Sequence, residues 1–105
     1  MRIIIGGAGR VGTELARALR AEEMDVVLVD SDSRAVKNAQ NLDVLVIHGD
    51  LTTREKLHEA GIGEAEIFVA ATNSDERNLL ACALAEHAHY QYGGAKAKPL
   101  MSISR

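Results

Sequence analysis

The chain has 105 residues, 47% of them hydrophobic but only 3% aromatic, and carries a net charge of −3; it reads as one domain, residues 1–105, with a core of Val, Ile, Leu and Ala. Its charges are scattered without a long acidic or basic run, so neither a nucleic acid nor a membrane surface is implied as partner, and its one cysteine, Cys82, excludes an internal disulfide framework or a cysteine-built zinc cluster. No stretch approaches the length of a membrane span and no signal-peptide pattern opens the chain, so the expected compartment is cytoplasmic.

Ile3, Ile4 and Ile5 form a β-branched run too short for a helix and suited to a parallel strand covered on both faces. It meets Gly7, Gly9 and Gly12 in the spacing G-x-G-x-x-G. The first glycine suits a tight turn, the second lets backbone approach a pyrophosphate, and the third lets the next helix pack close to the strand. Alone this spacing is weak evidence. Here it follows a strand signal and opens a helix predicted from about Arg10 to Glu22, with Leu15, Ala16 and Leu19 inward. A second apolar run, Val26 to Val29, then closes on Asp30, about twenty residues past the glycines. A carboxylate there can accept both hydroxyl hydrogen bonds of an adenosine ribose, which favours a 2′-OH over a 2′-phosphate. The plain alternative is a solvated turn aspartate.

Ser31, Asp32 and Ser33 supply cap chemistry for a short helix from Arg34 to Gln40. Val44 to Ile47 reads as a third strand, followed by the polar turn His48, Gly49, Asp50 at the strand end where open α/β sheets bind ligands. Asp50 either reaches an adenine amino group or caps a helix from Thr52 to Ala60, and the two roles are compatible. Gly61 and Gly63 stop that helix, and Glu66 to Ala70 reads as a fourth strand. A polar elbow follows, Ala71 to Glu76, with Thr72 or Asn73 beside the crevice where the strand order reverses and Ser74 or Asp75 as a cap. The next helix is predicted from about Glu76 to His89, with Leu79, Leu80, Ala83 and Leu84 on one apolar face and Cys82 as a small core residue. His87 and His89 are two apart and do not share a helix face, so no metal site is expected. Gln91 to Lys98 reads as a surface loop and Pro99 to Arg105 as a fifth strand with no helix on its far side. Five strands alternating with helices give an α/β, Rossmann-like doubly wound parallel sheet of order 3-2-1-4-5.

The whole chain resembles the TrkA-N family, also called KTN or RCK domains, of potassium-transport regulators. The resemblance lies in Gly7 to Gly12, Val29 with Asp30, Gly49 with Asp50, and above all Ala71 to Glu76 followed by Asn78. It implies a nucleotide-sensing regulatory domain that binds NAD(H) or ATP/ADP and passes nucleotide state to a membrane potassium channel or transporter through a homo-oligomer, a dimer or larger. Such a domain would be cytoplasmic and peripheral to the inner membrane face. By similarity the ligand is held by Gly7, Ala8, Gly9, Arg10, Val11, Asp30, Ser31, Gly49, Asp50, Thr72, Asn73 and Arg105, with Arg10 at the phosphates. Two departures stand out: a longer Tyr90 to Lys98 loop, and no counterpart of the family's sixth strand, crossover helix and C-terminal regulatory domain.

A dehydrogenase would also need a positioned acid or base and a substrate pocket. Only His48 lies near the expected crevice. The reading is therefore a sensor that is not an enzyme and has no catalytic residues; an NAD-dependent oxidoreductase fragment ranks second and a ligand-free interaction module third.

Overall fold

A computed structural model describes residues 1–105. The elements run β1 (Arg2–Gly6), α1 (Arg10–Ala21), β2 (Asp25–Asp30), α2 (Ser33–Ala39), β3 (Leu45–His48), α3 (Arg54–Glu59), a 3-10 turn (Ile62–Glu64), β4 (Ala65–Ala70), α4 (Asp75–Gly93), a second 3-10 turn (Gly94–Lys96) and β5 (Met101–Ser104). All four strand pairs are parallel, and the sheet order is β3-β2-β1-β4-β5. This is the expected topology, and it follows from right-handed crossovers between β-branched runs too apolar to leave either face bare.

Alternation along the strands divides the core in two. Ile3 and Ile5 of β1 join Val26, Leu28 and Ala16 on the α1/α2 face. Ile4 joins Val27, Val29, Phe68, Leu57 and the alanines of α4 on the other. Each fully buried Ile, Leu or Phe contributes roughly 1.5–3 kcal/mol of apolar transfer. The α1/α2 layer stops short of the sheet edge: Ile67 and Val69 are half-buried, and their register partners Met101 and Ile103 are 60% and 44% exposed. On this face that edge has no helix over it, as the sequence reading expects, while α4 packs against β4 and β5 on the other.

The α4 region departs from expectation in two ways. Its buried face carries Asn78, Ala81, Ala85, Ala88 and His89, while Leu79 and Leu80 are 66% and 51% exposed. Hydropathy favours the leucines; packing favours the alanines, whose small side chains let the helix lie close on the sheet. Cys82 is half-buried rather than a full core residue, and burial, with Glu86 adding, pushes its thiol pKa up. The helix also runs on to Gly93, taking in the first three residues of the expected loop. Its last turns are anchored by Tyr92 stacking on His58 with ring centroids 3.9 Å apart. They are anchored too by His89, whose ring bonds the carbonyls of Ile62 and Lys98. That histidine is a structural fastener, with both nitrogens committed to backbone.

Candidate functional site

The five strand tips are tied together beyond their last ladder pairs. Gly49 N–H donates to the Asp30 carbonyl at 2.9 Å, Gly7 N–H to Val29 at 2.8 Å, Ala71 N–H to Gly6 at 2.7 Å and Arg105 N–H to Ala70 at 2.9 Å. Two strand-to-helix elbows rise from this platform on either side of the point where the order reverses. Between them lies a crevice of about 410 Å³, within the range of small-ligand sites.

The β1–α1 elbow is made of missing side chains. Gly7 sits at φ +116°, where an L-residue is strained, and a Cβ on it would stand 2.9 Å from the Ala71 backbone. A Cβ on Gly12 would overlap the Gly7 carbonyl oxygen. Gly9 differs: a Cβ there would meet nothing within 4 Å, so the absent atom leaves open the approach to the helix. Gly9 is also the N-cap of α1 and offers no side chain to its first turn, whereas Asp32 caps α2 and Ser74 caps α4. The first N–H groups of α1 are therefore left without a side-chain acceptor, at the positive end of the helix dipole and beside the crevice that Gly9 and Arg10 line.

Asp30 closes this elbow. Its Oδ2 accepts the Ala8 N–H at 2.7 Å and its Oδ1 the Asp32 N–H at 2.8 Å. The carboxylate is thereby clamped between the glycine turn and the start of α2, and each oxygen keeps a lone pair for a further donor. Gly7, Gly9 and Asp30 line the same crevice, the convergence that the twenty-residue spacing implied.

The β4–α4 elbow is built from side chains that bond one another. Asn78, fully buried, accepts the Thr72 N–H at 3.1 Å and the Thr72 hydroxyl on Oδ1, and its Nδ2 donates to the Thr72 carbonyl at 3.1 Å. The Thr72 hydroxyl also accepts the Ser74 N–H at 3.2 Å. Thr72 thus lines the crevice with its polar groups already spent, and Asn73 beside it is exposed.

Eight of the residues singled out from the sequence meet in the crevice wall: Gly7, Gly9, Arg10, Asp30, Ser31, Thr72, Asn73 and Arg105. Four do not. Ala8 turns its N–H to Asp30 and borders a neighbouring cleft between α1 and α2; Val11 points outward at 42% exposure. Gly49 continues the β2–β3 ladder. Asp50 is spent on its own turn: Oδ1 accepts the Thr52 N–H at 2.8 Å, the Thr52 hydroxyl at 2.6 Å and Arg77 at 2.8 Å. The Thr52 hydroxyl and N–H hold its carboxyl below the ordinary value of 3.8; burial opposes them and Arg77 adds to them. It does not cap α3, whose N-cap is Thr53. His48 is exposed and bonds the Ser31 carbonyl at 3.0 Å. The lining residues that sequence reasoning did not assign to the site are Asp32, Ala35, Ala71, Leu51, which packs against Gly6, and Arg77. Leu51 was readable as the first apolar residue after the β3 turn; Arg77 had no local signal.

Compared with known proteins, residues 3–98 match the TrkA-N domain family. A Trk system potassium uptake protein TrkA homolog of Pyrococcus abyssi is 44% identical over 88 residues, covering 83% of this chain and 39% of that protein. The chain thus spans about two fifths of that relative's length. Among solved structures, the Kef CTD of Shewanella denitrificans in AMP-bound form superposes with a TM-score of 0.76 at 26% identity, over 100% of this chain and 58% of that one. A Thermus thermophilus UDP-glucose 4-epimerase in complex with NAD gives 0.70 at 20% identity, over 89% and 35%, a likeness of fold alone. No helix is long and apolar enough to cross a membrane.

Proposed function

The chain belongs to the TrkA-N domain family, and on that premise we propose that its crevice binds an adenine nucleotide, NAD(H) or ATP/ADP, and that occupancy controls a membrane potassium channel or transporter. The observation that carries this reading is the meeting of Gly9, the uncapped start of α1 and the clamped Asp30 in one crevice. The N–H groups of α1 and the Arg10 guanidinium take the phosphates, while Asp30 takes the ribose hydroxyls on its remaining lone pairs. Support comes from the potassium-uptake name of the relative and from the AMP held by the Kef structure.

The lining favours binding over turnover. Its only titratable groups besides arginine are Asp30 and Asp32, both tied to backbone N–H groups, and it presents no histidine, lysine or cysteine as an acid–base partner. Control of a transporter at the cytoplasmic membrane face requires that ligand bind two conformations unequally, and a homo-oligomer, dimer or larger, would carry that difference outward.

Calorimetry with NAD, NADH, ADP and ATP tests the reading. Binding by at least one is expected, and Asp30→Ala should weaken it by about 1.5–3 kcal/mol through loss of charge-assisted hydrogen bonds. Absence of binding by all four refutes it, and hydride transfer from NADH to a substrate would move the chain among the oxidoreductases.

A further inference from the structure

Arg77 lies in the first turn of α4, where the helix dipole favours anions such as its neighbours Asp75 and Glu76 and disfavours a cation. Its guanidinium nevertheless reaches from the β4–α4 elbow to the turn after β3 and donates to Asp50 Oδ1 at 2.8 Å. Both side chains remain well exposed, at 44% and 43%. The same oxygen already receives two bonds from Thr52, only two residues away. Asp50 can therefore release Arg77 and keep both of its Thr52 bonds.

Along the crevice the charges are unevenly placed. Strand order puts Asp30, Ser31 and Asp32, after β2, at one end, Gly9 and Arg10, after β1, in the middle, and Thr72, Asn73 and Arg105, after β4 and β5, at the other; Arg77 reaches from α4 back to the turn after β3. The two carboxylates, both at the first end, are partly neutralised by backbone N–H donors. Beyond Arg10 the lining adds two guanidinium groups, Arg105 at the far end and Arg77, and of these only Arg77 has a carboxylate within bonding distance. A positive field of that kind draws in anionic groups that extend past the glycine turn.

We propose that Arg77 determines which nucleotide the crevice prefers: it exchanges Asp50 for the terminal phosphate of a nucleoside di- or triphosphate, giving ATP and ADP an advantage over AMP. This rests on the nucleotide reading above. With the ribose at Asp30 and the first phosphate at the start of α1, each further phosphate is carried toward Thr72 and Arg77. A monophosphate stops short. Guanidinium forks match phosphate oxygens in bidentate geometry, and a charge-assisted bond that forms only with the longer ligand sets a difference between ligands.

Calorimetry of the 105-residue chain with AMP, ADP and ATP tests this, using Arg77→Gln and Asp50→Asn. The unmodified chain should bind ATP about tenfold or more tighter than AMP, and Arg77→Gln should reduce that ratio to about threefold or less at unchanged AMP affinity. Asp50→Asn, which keeps an acceptor for Thr52 but loosens Arg77, should tighten ATP a few-fold and leave AMP alone. An ATP-to-AMP ratio unaltered by Arg77→Gln while AMP still binds overturns the proposal and leaves the nucleotide reading standing. Equal weakening of AMP and ATP also overturns it, because Arg77 would then only support the elbow. If none of the three nucleotides binds the unmodified chain, the nucleotide reading falls and this proposal with it.

Discussion

At the β1–α1 elbow the chain turns because nothing stands in its way, whereas at the β4–α4 elbow it turns on side chains bonded to one another. The first leaves the leading N–H groups of its helix free of side-chain caps. The second spends its donors internally, through Asn78, Thr72 and Ser74. The two touch, since the Gly7 turn has no room for a Cβ against the Ala71 and Thr72 backbone. One wall of the crevice therefore offers donors to a ligand and the other offers rigidity. Substitutions that treat the two elbows differently test this division.

The largest effect is expected at Gly12. A Cβ there overlaps the Gly7 carbonyl, which is backbone and has nowhere to move. Gly12→Ala should cost about 3 kcal/mol or more, read as a drop in the urea midpoint. A loss under about 1 kcal/mol would show that α1 can slide away from the sheet and that close packing is not what this glycine provides.

Asn78→Ala comes next. It removes both partners of the Thr72 backbone and leaves a half-buried N–H and carbonyl unpaired, for a loss of about 2 kcal/mol. If Thr72 instead finds water, thermal melts will show less, and the second elbow is softer than its hydrogen bonds imply.

Gly9→Ala separates stability from binding. Its Cβ meets open space, so stability should change by no more than about 1 kcal/mol, the N-cap difference. The added methyl stands where phosphate would approach the helix, and nucleotide affinity should fall about tenfold. Unaltered affinity would remove Gly9 from the site while leaving the elbow intact.

The same contrast explains what could be read from sequence. Gly7, Gly9, Gly12 and Asp30 carry their geometry in their identity: a position that needs no Cβ takes glycine, and a carboxylate at a strand tip has few places to point. The strands were equally plain, because β-branched runs of this length have one use. The face of α4 was not. Periodicity ranks leucine above alanine and so turns the helix toward Leu79 and Leu80, about 100° per residue away from the face that packs. Glycines also misled at the helix end. Gly93 signalled a loop, yet it sits in the last turn because a Cβ would stand 2.7 Å from the Gly63 carbonyl. Asp50 and Arg77 meet across 27 positions, a pairing that only the finished topology creates.

That pairing yields the smallest effect, and it depends on pH. The Thr52 bonds, then Arg77, hold the Asp50 carboxyl below its ordinary value of 3.8. The unfolded chain therefore takes up this proton at a higher pH than the folded one. Stabilisation from the charge is complete above the ordinary value and is lost as pH falls through the lowered one. With the side chain 43% exposed, solvent screening limits it to less than about 1 kcal/mol. Asp50→Asn retains an acceptor for Thr52 but carries no charge. Its melting temperature should lie below that of the unmodified chain at pH 7 and approach it as pH falls below about 4. A gap of constant size down to pH ~3 would mean that neutral hydrogen bonds alone hold the β3 turn, and that Arg77 reaches across to it without electrostatic gain.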